Sequence, residues 1–415
     1  MSHQINLQEP AMKIISLIFP WVGMFLMSLA VNARADVLDN WTTNQISTNT
    51  FAFHHIVYGN GIYVAVGQYS DYGGFYTSRD GLHWKLQYSE PNSWNVTLNY
   101  SEGHFAGVCE GLGSGVADVS SDGTNWTTTL FSINGAPGFT PVAVTYGNGL
   151  YAIVGSTNNV ASILTSPDGV TWTFRQASTS PGGPINSVTY RAGKFVAVGN
   201  NDGLEYTSST GTGTWAKSSL PGGNKISYAN GLFFVPFNDK TNLLSVLGVN
   251  WILKATGLTN MLGVVTYGNG IFMAQCGISR SGSYLATSID GTNWFQYAKQ
   301  LPNYCPINDT SDFDVSLATD GTRLVTGSAT GSFYYNAFIY TSDPLVGVRM
   351  TNNPSPKIAV SGLVGRNYQI QSTDALGAGN SWRTNATFQL TNTPFVWTDT
   401  TATNSARFYR GVLLP

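Results

Sequence analysis

The sequence predicts an all-β chain: a seven-bladed β-propeller closed by its N-terminal strand, followed by a small C-terminal β-sandwich. Three observations lead there. A Ser-x-Asp-Gly-x-x-Trp phrase recurs at 78–84, 120–126, 166–172 and 288–294. Seven tryptophans (Trp41, Trp84, Trp126, Trp172, Trp215, Trp251, Trp294) are spaced by 43, 42, 46, 43, 36 and 43 residues. Between them runs a second ladder of seven, from "VYGNGIYVAVG" at 57–67 to "LATDGTRLVTG" at 317–327. A period near 43 with several strands per unit is the signature of propeller blades.

The N-terminus reads as an export signal. Lys13 precedes an apolar run from Ile14 to Ala30, and Ala33 and Ala35 satisfy the small-x-small cleavage pattern. Residues 1–35 are therefore assigned to a signal peptide, with the mature chain starting near Asp36. The alternative is a retained anchor, but a run of 17 residues interrupted by Pro20 and Gly23 is at the short limit for spanning a bilayer. The expected location is the cell envelope or the exterior.

Residues 36–344 form the propeller. In 264–297, "VVTY" is an inner strand, "GNG" a turn in which Asn and Gly tolerate positive φ, and "IFMAQ" the second strand. "YLATS" is the third strand, "IDGT" the next turn and "NWFQYA" the outer strand. Asp80, Asp122, Asp168 and Asp290 are read as turn residues whose carboxylates accept backbone N–H bonds, and each Trp as filler between neighbouring blades. The phrase decays at 207–215, which lacks the Asp, and at 244–251, which keeps only Gly and Trp. After "FIYTSDP" (338–344) no Trp follows, so "LDNWTTNQ" (38–45) is expected to supply the missing outer strand. Residues 345–415 carry alternating strands with Trp382, Phe388, Phe395, Trp397, Phe408 and Tyr409 as core rings, and are read as the β-sandwich.

Composition excludes several classes. Charged residues are 10% of 415, and the net charge is −2, so no basic field attracts nucleic acid. Hydrophobic residues at 42% build a core. Of Cys109, Cys276 and Cys305, the last two fall on one face and are candidates for a disulfide; Cys109 is read as a buried thiol. Asp309, Asp312 and Asp314 lack the Gly and terminal Glu of an EF-hand, and no metal or cofactor is assigned. His54 and His55 precede the first inner strand, with the channel or solvent as alternatives. No H-x-x-x-H spacing and no G-x-S-x-G elbow is present.

The repeated phrase resembles the Asp-box of the bacterial neuraminidase repeat in sialidase-like propellers, at Ser78, Asp80, Gly81 and Trp84 and their three counterparts, with a turn one residue shorter. The resemblance implies that the boxes lie on the face away from the active site. The tail from Tyr368 to Arg410 resembles the C-terminal β-sandwich of exported Verrucomicrobia and Planctomycetes proteins. A retaining sialidase needs an arginine cluster, a Tyr–Glu pair and an acid/base Asp. Arg79, Arg191 and Arg323 are placed by their turns on the wrong face, and only Arg280 falls in a loop between second and third strands.

The candidate binding surface is accordingly the loop face. Tyr69, Tyr72, Trp94, Tyr334 and Tyr335 are placed to stack on sugars or peptides, and Asp71, Asp202, Asp239 and Arg280 to orient polar groups. The reading is an exported, non-enzymatic, monomeric propeller that binds a glycan or cell-surface protein, with no nucleic acid and no membrane after signal cleavage. The alternative is a glycoside hydrolase or lyase of sialidase-like type using Asp71 and Asp202. A role like that of the photosystem assembly propellers of this repeat class would need a basic patch, which the sequence does not display.

Overall fold

The computed structural model describes residues 41–47, 52–69, 72–91, 93–111, 114–131, 138–176, 183–199, 204–220, 223, 225–238, 240–279, 282–301, 317–327, 337–342, 346–352, 356–363, 365–374, 381–391, 395–401 and 407–414. Every regular element among them is a strand. The chain divides into two compact units. One comprises Trp41–Tyr267 with Ile271–Ser342, and Asp343–Pro415 belongs to the other.

The first unit is built of four-stranded antiparallel sheets. Ala52–Gly59, Ile62–Tyr69, Tyr72–Ser78 and Lys85–Pro91 make the first, each strand pairing with the next. Residues 93–131, 139–176, 185–219, 227–255 and 262–300 repeat the same order. In a seventh sheet, Leu317–Thr319, Leu324–Gly327 and Ala337–Ser342 are joined by Trp41–Ser47, which runs antiparallel to the last of them with Trp41 opposite Ser342 and Gln45 opposite Phe338.

Burial explains why these strands read as they do. Second and third strands, such as Leu150–Thr157 and Val160–Ser166, are buried along almost their whole length, whereas the outer strands Ala216–Ser219 and Ile252–Ala255 are exposed throughout. A strand covered on both faces reads as a continuous apolar run rather than an alternation. The cover is the neighbouring sheet. Ala152, Val154 and Ile163 of the third sheet pack on Phe195, Ala197 and Tyr206 of the fourth. Phe53, Tyr63 and Tyr76 of the first pack on Ala318, Val325 and Ile339 of the seventh.

A β-bulge recurs at one place in the inner strands. The register slips between Phe53 and His55, Pro141 and Ala143, and Ile185 and Ser187, and at the corresponding point between Trp94 and Thr97. In three of these sheets a glycine (Gly67, Gly155, Gly199) pairs with the residue before the slip. A Cβ on Gly155 would stand 2.0 Å from the Thr140 carbonyl oxygen, so only glycine permits that approach. Bulges bend a strand and redirect its side chains, and here they deliver side chains to the centre of the unit.

The second unit holds two three-stranded sheets. Pro356–Gly362 lies between Val346–Asn352 and Phe395–Thr398, and Asn367–Thr373 lies between Arg383–Gln389 and Phe408–Leu413. Ile358, Val360, Tyr368, Ile370 and Leu390 are fully buried. Asp399 is also buried and receives bonds from Tyr409 Oη (2.6 Å), Arg407 Nη1 (2.8 Å) and the Thr401 N–H (2.8 Å). Burial alone would raise this carboxyl, but those donors hold it down to about 2.

Candidate functional site

Among the described residues, the inner strands of the seven four-stranded sheets line one cavity of about 260 Å³. The four residues that follow the bulges, His55, Thr97, Ala143 and Ser187, all face it. His55 thus takes the channel alternative. Side-chain bonds stitch neighbouring inner strands around it. Thr97 Oγ1 donates to the Val142 carbonyl (2.9 Å), the Ile226 N–H to Ser187 Oγ (3.1 Å) and the Val265 N–H to Ser227 Oγ (3.1 Å).

At the hairpin end, each inner strand but the last closes on a tyrosine. The residue after it decides what fits. A methyl group on Gly59 would overlap the Tyr100 ring, and one on Gly147 the Tyr190 ring, so glycine in one sheet makes room for tyrosine in the next. Ser101 and Arg191 occupy the equivalent glycine positions of the second and fourth sheets. Arg191 Nη1 donates to Ser101 Oγ and to the Tyr190 carbonyl (3.0 Å), linking the fourth sheet to the second, while its guanidinium lies 5.9 Å from the Tyr228 ring centre. Burial lowers the Arg191 pKa against the opposing pull of Glu102. Tyr100 Oη donates to Asn60 Oδ1 (2.7 Å), and Asn60 Nδ2 to the carbonyls of Gly103 (2.9 Å) and Ser121 (2.8 Å). The Asn148 N–H completes the chain to Glu102 Oε2 (3.3 Å).

The Ser-x-Asp-Gly-x-x-Trp turns share one geometry. Ser Oγ accepts the Gly N–H at 2.9, 2.9, 2.8 and 2.9 Å and donates to Asp Oδ1 at 3.0, 3.1, 2.8 and 2.9 Å. The same Oδ1 accepts the two N–H groups after Gly, and Oδ2 meets the side chain of His83, Asn125, Thr171 or Asn293. All four carboxyls sit well below the usual range. At Asp122 and Asp168 the backbone bonds from Asn125 and Thr171 dominate; at Asp80 and Asp290 the same bonds outweigh a partial burial that works upward. A carboxylate so occupied holds its own turn and has little left for a substrate. The seventh sheet repeats the device in its inner hairpin, where Asp320 Oδ1 accepts from the N–H groups of Thr322 (2.6 Å) and Arg323 (3.0 Å).

One expectation needs correction. The stretches 68–74 and 89–95, read as loops, are mostly strand: Tyr69 pairs with Tyr72 across residues 70–71, and Trp94 pairs with Glu110. The hairpins run further from the core than the apolar residues alone suggest, because the ladder continues through polar residues. Arg191 stays at the hairpin end, where its turn places it, and from there its side chain also lines the channel. Its signal in the sequence was Tyr-Arg where other units have Tyr-Gly. The side chains of Tyr69, Tyr72 and Trp94, and residues Asp71, Asp202, Asp239, Arg280, Tyr334 and Tyr335, lie outside the described residues, as do Asp309, Asp312 and Asp314. Cys276 is a buried free thiol and not half of a disulfide, and desolvation pushes it up to about 12; Cys305 lies outside the described residues.

No known protein family and no curated protein matches the chain. Solved structures do. YCF48 from Cyanidioschyzon merolae aligns with a TM-score of 0.50 at 13% identity, over 73% of this chain and 98% of that one. YCF48 bound to a D1 peptide gives 0.50 at 15%, over 75% and 98%. A streptogramin B lyase gives 0.53 at 12%, over 75% and 100%. The chain has the β-propeller fold. At such identities the likeness speaks for architecture alone, and the fold hosts both binding proteins and a lyase.

Proposed function

We propose that this chain is an exported, non-enzymatic propeller that binds a glycan or a protein partner through its loop face. The observation that carries the reading is the channel. Its described lining offers His55, Thr97 and Ser187 towards the loop side and Arg191 with tyrosines towards the hairpins. A channel whose hydroxyls, amide, imidazole and guanidinium stand among aliphatic side chains suits orientation of a bound group. The D1 peptide held by YCF48 supports a protein ligand on this fold.

The same proposal gives the finer architecture. Seven blades form a closed ring, with Trp41–Ser47 as the outer strand of the last, a reading supported by its ladder to Ala337–Ser342. The turns are Asp-boxes of the sialidase-like class, a reading supported by their common bonding. The signal peptide ends near Asp36, residues 36–344 form the propeller, and residues 345–415 form a β-sandwich attachment module, supported by its two three-stranded sheets.

The test is a glycan array together with cell-surface binding of the full-length chain as the cell releases it. Binding that falls on combined Tyr72→Ala, Trp94→Ala and Tyr335→Ala substitution supports the loop face. Release of reducing sugar that disappears with Asp71→Ala or Asp202→Ala would replace binding with hydrolysis. N-terminal sequencing that begins near residue 36 supports export.

A further inference from the structure

The net charge of −2 conceals an asymmetry along the chain. Residues 345–415 carry six basic side chains (Arg349, Lys357, Arg366, Arg383, Arg407 and Arg410) against Asp374 and Asp399, a balance of +4. Residues 36–344 carry twelve basic against nineteen acidic side chains, a balance of −7. A basic segment on an otherwise acidic chain points to an acidic partner. Both carboxylates of the basic segment are already committed. Asp374 meets Arg383 Nη2 (2.7 Å) and Arg407 Nε (3.2 Å), and buried Asp399 meets Arg407 Nη1 (2.8 Å).

Arg410 belongs to neither pair and is fixed in another way. In the strand Asn367–Thr373, Tyr368 and Ile370 enter the core, so Asn367, Gln369 and Gln371 lie on the outer side. Arg410 and Thr384 flank Gln371 on the two neighbouring strands. Arg410 Nε donates to Gln371 Oε1 (2.8 Å), Gln371 Nε2 to Gln369 Oε1 (2.8 Å), and Thr384 Oγ1 to Gln369 Oε1 (3.3 Å). The guanidinium lies over the Trp382 ring, 4.2 Å from its centre. Neutral partners thus hold its plane, and among the described residues Nη1 and Nη2 meet no acceptor. That free edge matches two oxygens of a carboxylate or sulfate, and holding it in place beforehand lowers the cost of binding. Beside it stand the exposed amides and hydroxyls of Asn367, Thr384 and Thr387, which both donate to and accept from sugar hydroxyls.

We propose that this outer face, with Trp382, Gln369, Gln371, Thr384 and Arg410, binds an acidic polysaccharide, Arg410 taking its anionic group and the amides its hydroxyls. The proposal rests on the reading of residues 345–415 as an attachment module and gives that module a target. A row of neutral amides beside one stacked arginine suits a hydroxyl-rich polymer better than a nucleic acid, which draws on many cations, or a bilayer, which draws on exposed apolar side chains.

Affinity electrophoresis of the full-length chain, as the cell releases it, through gels containing polygalacturonate or dextran sulfate tests it. The expected result is retardation that salt relieves, with none from methyl-esterified polygalacturonate or plain dextran; which gel retards separates a carboxylate from a sulfate. Arg410→Gln and Trp382→Ala should each weaken binding by about tenfold or more, with the thermal midpoint unchanged for Arg410→Gln because the side chain lies on the outer face. Arg410→Lys should not restore it, since an ammonium keeps the charge and lacks the planar fork. Lys254→Ala, at an exposed cation of the fifth sheet, should leave it intact. Absence of retardation in both gels overturns the proposal, as does equal retardation by the neutral polymers, or retardation that survives Arg410→Gln with Trp382→Ala or falls as far with Lys254→Ala. Tighter binding to duplex DNA or to phosphatidylglycerol vesicles also overturns it. Cells that retain the Arg410→Gln chain as well as the parent would refute this target and leave the attachment role standing.

Discussion

The turns at 245–251 and 288–294 belong to adjacent sheets and differ in one chemical respect. Both keep a buried serine whose Oγ accepts the glycine N–H, at 2.8 Å for Ser245–Gly248 and 2.9 Å for Ser288–Gly291, and both keep the glycine at positive φ and the tryptophan. The second has Asp290, whose Oδ1 takes the N–H groups of Thr292 and Asn293 at 2.8 Å each. The first has Leu247, exposed and without an acceptor to offer. The conformation is therefore carried by the serine, the glycine and the packing beneath, and the aspartate adds local reinforcement. Where Leu247 stands in its place, the position presents an aliphatic side chain to the outside.

The largest effect should come from the shared glycine. Gly248→Val adds a side chain at φ +67, with its Cβ only 2.5 Å from Val196 Cγ2, and should destabilise the propeller by about 3 kcal/mol in urea unfolding. Next come Ser245→Ala and Ser288→Ala. Each removes a buried acceptor common to both turns and should cost about 1–2 kcal/mol, with Ser288→Ala the larger because Ser288 Oγ also donates to Asp290 Oδ1; a Ser288→Ala cost well below that of Ser245→Ala would mean that the aspartate, not the serine, anchors the turn at 288–294. Asp290→Ala should cost about 1 kcal/mol, since water reaches the freed N–H groups. Smallest is the reverse change. Leu247→Asp restores an acceptor for the Val249 and Asn250 N–H groups, and in dilute protein should raise stability by about 0.5 kcal/mol.

Acid extends the comparison. The aspartates at 80, 122, 168 and 290 lie below their ordinary values in the folded chain. Between the folded and unfolded values the unfolded chain binds more protons, so this contribution is complete above the ordinary carboxylate range and is lost as pH falls below it. Urea midpoints should therefore drop from pH 5.5 to pH 2.5, and a chain with these four changed to Asn should show a flatter profile. Asp399, held down to about 2 by Tyr409, Thr401 and Arg407, adds the same sign of dependence in the C-terminal unit.

The repeats were legible because their determinants are local. The Asp-Gly turns bond within three residues, and the Asn-Gly hairpins at Asn60, Asn148 and Asn269 take positive φ as their dipeptides announce. The strand ends at Tyr69, Tyr72 and Trp94 were less legible, since a ladder between polar residues leaves little hydrophobic pattern. The channel mouth was not legible at all. Arg191 and Ser101 are 90 residues apart, and nothing in either segment specifies that one reaches the other.

By itself, the sequence determined the period, the turn chemistry and the alternation that makes each four-stranded unit, because these depend on backbone propensity and on bonds between near neighbours. Tertiary structure alone decided which side chains meet at the centre, which glycines leave room for the next sheet's tyrosine, and which apolar residues stay uncovered in the fifth sheet. Those outcomes depend on the angle and spacing between sheets that are far apart in the chain, and no short window of residues encodes them.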